Sequence, residues 1–295
     1  MTLELKSLHP TFVAQASGVD LATLTDEATL GAIRAAMDQY AVLVFPNQTL
    51  NDDTHLAFAR RLDGQIHAKT GSRVIAKSRL GDEALTDISN LDVDGKVLET
   101  NNRLRLYSLA NRLWHTDASF ENPAGRYSML YAYEVPPVRA DTQFADMRTA
   151  YDSLDDDTKA QISDLKAHHS IAYSRQTLGF EFAPEEANIL KGVWQPVVRH
   201  FASTGRRALY LASHASKIDG LPTPEARLLI KDLMEHATQP HLVYSHDWQE
   251  KDLVIWDNRA TMHRGKAYDD QKHRRELRRV TTLDITADQP AAAHG

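Results

Sequence analysis

The chain has 295 residues, of which 42% are hydrophobic and 25% charged. That is an ordinary globular balance and excludes a disordered or fibrous polymer. It has no cysteine, which excludes disulfides, thiolate zinc sites, iron–sulfur ligation and cysteine nucleophiles. A formal charge of -6 removes the overall basic footprint of a nucleic-acid binder.

The first ten residues lack the basic-then-apolar build of a signal peptide. The apolar run at 41–45 falls far short of the roughly 20 residues a membrane helix needs. The expectation is a soluble cytoplasmic protein with no nucleic-acid or membrane partner. Residues 26–40 place Leu30, Ile33, Met37 and Tyr40 at helical spacing. Thr25 reads as the N-cap, with Asp26 and Glu27 in the favourable first turn. The AVLVF run at 41–45 reads as a buried strand closed by Pro46-Asn47, and 52–61 as a second helix. Between about 62 and 110, Gly, Asn and Asp are scattered without a period. This predicts a lid-like excursion with one short strand near Ile88.

Beyond 125 the pattern predicts strands at 127–135 and 143–147, then helices at 148–153 and 156–167. Thr223-Pro224-Glu225 opens a helix whose apolar face is Leu229, Ile230, Leu233, Met234 and Ala237. Strands follow at 242–245, 252–257 and 275–283, and residues 287–295 read as a disordered tail. With no internal repeat or linker, residues 1–286 read as one domain, mainly β with flanking helices.

Fourteen histidines are the compositional hint of chemistry. Without cysteine, a transition-metal site has to use imidazole and carboxylate. His115 and Asp117, two apart on an extended segment, point to one face. By itself the tripeptide is weak, since roughly one His-x-Asp arises by chance among so many histidines. His263, after the apolar strand ending in Trp256-Asp257-Asn258, completes the donor set of a facial triad with three open positions. On a strand at 275–283, Arg275, Leu277, Arg279, Thr281 and Leu283 share one face. Inward arginines require anionic partners, and the arginine fork suits carboxylate. Taken alone, a solvated basic strand explains the arginines better.

The combination of W-H-T-D at 114–117, W-D-N-R-A-T-M-H-R-G at 256–265 and R-R-E-L-R-R-V-T-T-L-D at 274–284 resembles the taurine dioxygenase family. These are Fe(II)- and 2-oxoglutarate-dependent dioxygenases, and the likeness is greatest to the branch that degrades aryloxyacetate herbicides. It extends through HPTF at 9–12, VLVFPNQ at 42–48, LAFAR at 56–60, DISN at 87–90, GRYSML at 125–130, FADMRTAYD at 144–152, HASKIDGLP at 214–222 and LMEHAT at 233–238.

The resemblance implies a double-stranded β-helix, a jelly roll of two facing sheets. It implies His115, Asp117 and His263 as iron ligands, with O2 and 2-oxoglutarate as cosubstrates. Arg275 would pair with the distal carboxylate of 2-oxoglutarate, helped by the Thr142 hydroxyl. Arg279 would pair with the acid group of an anionic aromatic substrate, and His214 would face that substrate. The implied reaction hydroxylates the carbon beside the ether oxygen of an aryloxyalkanoate such as 2,4-dichlorophenoxyacetate, giving a phenol, glyoxylate, succinate and CO2. An alkylsulfonate, an alkylsulfate or a chiral aryloxypropionate would also suit Arg279, and the resemblance is compatible with a homo-oligomer. Two readings from other classes stand beside it: a zinc hydrolase at the same triad, and a binding protein for small organic acids.

The sequence departs from the family over 61–77, where Leu62-Asp63-Gly64-Gln65 replaces the usual Phe-Gly-Pro. His67 and Lys69 add charge to this stretch. Phe201 stands where a related sequence has histidine, so no role passes to His200. His168 and His169 read as structural or exposed. Trp114 and Trp256 read as core packing beside the metal-bearing segments.

Overall fold

The computed structural model describes residues 2–67, 72–75 and 78–285. Lys69 and the tail at 287–295 lie outside them. The chain runs through β1 (Glu4–His9), β2 (Val13–Ser17), α1 (Glu27–Tyr40), β3 (Val42–Phe45), α2 (Asp52–Asp63), α3 (Ser72–Ile75), β4 (Thr86–Ser89) and α4 (Arg103–Ser108). It continues with β5 (Gly125–Glu134), β6 (Thr142–Asp146), α5 (Met147–Asp152), α6 (Asp156–Ile162), β7 (Lys166–His169), α7 (Ile171–Gln176), α8 (Pro184–Ile189) and β8 (Val193–Pro196). The last part comprises β9 (Val198–His200), β10 (Arg207–Leu209), β11 (Ala215–Ile218), α9 (Thr223–Ala237), β12 (Val243–His246), β13 (Leu253–Asp257), β14 (Thr261–Gly265) and β15 (Glu276–Leu283).

Two sheets make the frame. The larger has seven strands in the order β1-β2-β3-β13-β5-β15-β4, and the smaller is β12-β6-β14. Within them only β2 and β3 pair in parallel. The faces follow from strand alternation. On β13, Val254 and Trp256 turn inward with Val42 and Val44 of β3, Leu130 of β5 and Leu277 of β15. Phe144 of β6 meets them from the opposite sheet, 5.4 Å from Trp256 between ring centroids. A contact of this kind adds about 0.5–1.5 kcal/mol to the burial of both rings. Leu253 and Ile255 turn outward, with Leu43, Phe45, Met129 and Val280, against the apolar faces of α1 and α2. On the far side Ala145 and Met262 pack under α5 and α9. Both faces of β3 and β13 are therefore covered, which is why their sequences are apolar throughout rather than alternating. The result is the double-stranded β-helix that the resemblance implied.

Several boundaries differ from the sequence reading, each for a physical reason. Asp26, not Thr25, caps α1, since its carboxylate accepts from the Thr29 N–H. The helix expected over 156–167 stops at Ile162, because residues 166–169 are drawn into a sheet between β11 and β8. Met147, placed in a strand, opens α5 under the Asp146 cap. The excursion contains β4 as expected, but also α4 and a 3-10 turn at Leu109–Arg112. Helix α9 matches, with Ile230, Leu233 and Ala237 buried. Among the described residues no helix is long and apolar enough to cross a membrane.

Candidate functional site

Three segments meet between the sheets. His115 and His263 form an isolated antiparallel bridge, each N–H donating to the other's carbonyl at 2.9 and 2.8 Å. Their ring centroids lie 4.2 Å apart. His115 is therefore held by one bridge rather than by a strand, and the chain turns directly after it. Ala118 has φ +52°, a left-handed conformation that costs a non-glycine residue about 1–2 kcal/mol. Gly125 runs past this turn so closely that a Cβ there would lie 2.9 Å from the Asp117 carbonyl oxygen. The strand geometry inferred from His-x-Asp does not hold, yet the turn brings the Asp117 carboxylate to the same point.

Asn258 fixes that turn. Its Oδ1 accepts from the Asp117 N–H at 3.1 Å and from Trp256 Nε1 at 3.0 Å, and its Nδ2 donates to Ser128 Oγ at 2.9 Å. Ser128 Oγ in turn donates to Asp117 Oδ2 at 2.8 Å. Asn258 and Ser128 lay within quoted motifs, but nothing in their spacing assigned them this work.

The side-chain chemistry suits a cation. One donor atom from each of His115, Asp117 and His263 can be chosen so that all lie within 4.8 Å of one another. The Nε2 atoms of His115 and His263 lie 3.9 and 3.6 Å from the two Asp117 oxygens. His115 Nδ1 is 2.8 Å from the Leu113 carbonyl, which can only accept. The proton is therefore on Nδ1, and Nε2 is left as a lone-pair donor. Burial holds His115 down to about 4 and His263 well below its usual value, so both are neutral at neutral pH, as ligation demands. Burial opposes ionisation of Asp117, but Arg279 and the two imidazoles draw it down to about 2. Two neutral imidazoles and one carboxylate converging on one point fit Fe(II) of the facial-triad type.

Two chambers adjoin this cluster. The larger, about 410 Å³, is lined by Asp117, Phe120, Ile171, Arg175, His214 and Arg279. The smaller, about 140 Å³, is lined by Thr142, Trp256, His263, Tyr268 and Arg275. His115 and Arg279 line both. Arg275 precedes β15 rather than lying in it, and its own N–H donates to Asn90 Oδ1 at 2.9 Å. Its Nε is buried without a partner among the described residues. Thr142 Oγ1 accepts from Trp248 Nε1 at 2.9 Å. From 276 onward the alternation holds: Arg279 points inward, while Arg278 pairs with Glu276 and Asp52 on the outer face. The expectation that both inward arginines await external anions needs one amendment. Arg279 already donates to Asp117 Oδ1.

His214 lies in the large chamber, wholly buried, with Nδ1 2.9 Å from Ser174 Oγ and its ring 6.0 Å from that of His115. His67 also lines this chamber. Trp256 both packs in the core and lines the small chamber, 4.7 Å from His263, whereas Trp114 lies under the Arg264 guanidinium at 4.5 Å. His169 is buried against Ser119, His168 packs on Trp194, and Phe201 belongs to the core beneath Arg259. Tyr107 and Arg175 were not singled out in the sequence, because α4 and α7 are too short to show a period.

The family model for taurine catabolism dioxygenases (TauD, TfdA family) matches residues 4–281. The chain belongs to the TauD/TfdA family. It is 45% identical over 287 residues to the alpha-ketoglutarate-dependent 2,4-dichlorophenoxyacetate dioxygenase of Burkholderia sp. (strain RASC), covering 96% of this chain and 95% of that one. It is 34% identical over 275 residues to the (S)-phenoxypropionate/alpha-ketoglutarate-dioxygenase of Sphingobium herbicidovorans, covering 90% of each. Among solved structures, AAD-2 in complex with Mn(II) and N-oxalylglycine superposes with a TM-score of 0.91 at 45% identity, covering 96% of this chain and 98% of that one. The Arg275 chamber and the His-Asp-His cluster sit within a fold that AAD-2 shares, and the AAD-2 structure contains Mn(II) and N-oxalylglycine.

Proposed function

We propose that this TauD/TfdA-family chain is an Fe(II)- and 2-oxoglutarate-dependent dioxygenase. It hydroxylates the carbon between the ether oxygen and the carboxylate of an aryloxyalkanoate such as 2,4-dichlorophenoxyacetate. One observation carries the reading: two arginine-bearing chambers of unequal size meet at a single His-Asp-His cluster. A hydrolase or a binding module needs no such pair.

His115, Asp117 and His263 would hold the iron. Fe(II) so held supplies oxygen activation coupled to oxidative decarboxylation of 2-oxoglutarate to succinate and CO2. The remaining work falls to the chain. Arg275 takes the distal carboxylate of 2-oxoglutarate, and Thr142 beside it offers a hydroxyl already oriented by Trp248. Arg279 exchanges Asp117 for the substrate's carboxylate, which sets the carbon next to that carboxylate beside the cluster. Phe120, Ile171 and Tyr107 offer the aryl ring an apolar wall. Burial of the cluster excludes water, and misplacing the reacting carbon by about 1 Å costs on the order of a hundredfold in rate. The hydroxylated product is a hemiacetal, whose collapse releases the phenol and glyoxylate. The segment 62–110, which lines much of the large chamber, acts as its lid.

The test is incubation of anaerobically purified protein with Fe(II), 2-oxoglutarate, O2 and 2,4-dichlorophenoxyacetate, with succinate and dichlorophenol quantified together. Equal yields of the two, both lost in His115→Ala, are the expected result. Succinate without phenol would retain the dioxygenase and reject the aryloxyacetate. Failure to bind iron and 2-oxoglutarate would reject the class.

A further inference from the structure

Among the described residues two arginines are almost wholly buried, and packing accounts for only one of them. Arg148, 2% exposed, donates to the carbonyls of Asp38 and Gln39 near the end of α1. There it satisfies main-chain groups that the helix leaves unpaired. Arg175, 4% exposed, stands at the end of α7 on the wall of the large chamber. Its NH1 donates to Ser174 Oγ at 2.9 Å and its NH2 to Asn111 Oδ1 at 3.1 Å, and its plane lies 4.6 Å above the Tyr107 ring. All three partners are neutral. Among the described residues no ion pair joins it to a carboxylate, and its Nε, also buried, has no hydrogen-bond partner.

A buried guanidinium hydrogen-bonded only by neutral groups is costly unless an anion completes it, and the one chamber carboxylate that acts on Arg175, at longer range, is Asp117. The chamber's own carboxylates are otherwise engaged. Asp87 is bound by Arg79, Asp92 accepts from the N–H groups of its own turn, and Asp117 is held by Arg279. Arg279 and Arg175 line one cavity and are near enough for each charge to oppose the other. A chamber lined by two guanidiniums that share one carboxylate has positive charge to offer an anion.

We propose that Arg175 is a second substrate-binding residue, holding the acid group of the substrate together with Arg279. That the acid is an aryloxyacetate rests on the function proposed above; that the chamber demands an anion at Arg175 does not. A site with a buried cation that has no paired carboxylate of its own rejects a neutral analogue, because binding it leaves that charge unmatched.

The experiment titrates 2,4-dichlorophenoxyacetate, its neutral counterpart 2-(2,4-dichlorophenoxy)ethanol and an alkylsulfonate into protein loaded with Mn(II) and N-oxalylglycine. The unmodified chain, Arg175→Gln and Arg175→Lys are compared. Arg175→Gln should weaken acid binding about ten- to a hundredfold and leave the alcohol and N-oxalylglycine within about twofold, the scale of a single weak contact. Arg175→Lys, which keeps charge but loses the fork, should show a smaller, equally acid-selective loss, and it carries the test if the glutamine variant does not fold. An unchanged ratio of acid to alcohol affinity in the variants would overturn the proposal and leave Arg175 a packing residue. Binding of the sulfonate alone would reject the aryloxyacetate while still reading Arg175 on an anion. Binding of no acid by the unmodified chain would reject both.

Discussion

The two chambers that share His115 and Arg279 are built from different materials. The small one is walled in part by sheet, through Leu130 of β5, Thr142 of β6, Trp256 of β13 and His263 of β14, and in part by Arg105 of α4, Leu109 and Arg112 of the 3-10 turn and Tyr268. The large one draws Tyr107, Phe120, Ile171, Arg175 and His214 from short helices and connections. Strands paired on both sides cannot move singly, whereas connecting segments vary at little cost to the core. The comparison teaches that the cosubstrate end is set by the frame and the substrate end by what is hung on it. One scaffold can keep its oxidant and change its target.

Three substitutions test this division, from the largest expected effect to the smallest. Asp117→Ala removes the carboxylate of the cluster at which the two chambers meet. Metal content and turnover should fall together, by more than the roughly hundredfold that follows loss of a group merely supporting a ligand. Metal analysis beside a succinate assay reads this, and full metal occupancy in the variant would remove Asp117 from the ligand set. Arg275→Gln should raise the KM for 2-oxoglutarate about ten- to a hundredfold, as loss of charged hydrogen bonds predicts, and leave the KM for the aryl acid unchanged. His214→Phe keeps a ring of similar size but loses the contact to Ser174 Oγ. A neutral hydrogen bond of this kind is worth about 0.5–1.5 kcal/mol, so the KM for the aryl acid should rise severalfold and that for 2-oxoglutarate should not. If Arg275→Gln or His214→Phe moved both constants equally, the chambers would be a single compartment.

The division also explains what was legible in the sequence. Arg279 was readable from alternation, because β15 is long and paired on both sides, so its period survives in the amino acids; Arg275, put on the same face by that pattern, lies just ahead of the strand. Thr142 came from the resemblance, whereas His263 was readable from its place after an apolar strand in a chain without cysteine. The strand that carries His263 was not recognised, since Thr261–Gly265 pairs with β6 on one side only and carries Arg264 and Gly265 at its end. The excursion was recognised as such, but not α4 within it. Six residues give less than two helical turns, too few to show a face. Arg175 escaped notice for the same reason. Among the described residues no carboxylate is paired with it, which is a property of three dimensions and leaves no trace in spacing. The pairing of Arg279 with Asp117 was likewise invisible, as the two meet across 162 positions.

The bridge between His115 and His263 has a bearing on how the site comes into being. The two imidazoles are brought together by a reciprocal pair of main-chain hydrogen bonds, across a loop of about 150 residues whose closure is an entropic cost. The bridge and the core around it help to meet that cost through main-chain and apolar contacts. A nascent chain cannot complete the three-residue cluster until residue 263 has taken its place in the sheet.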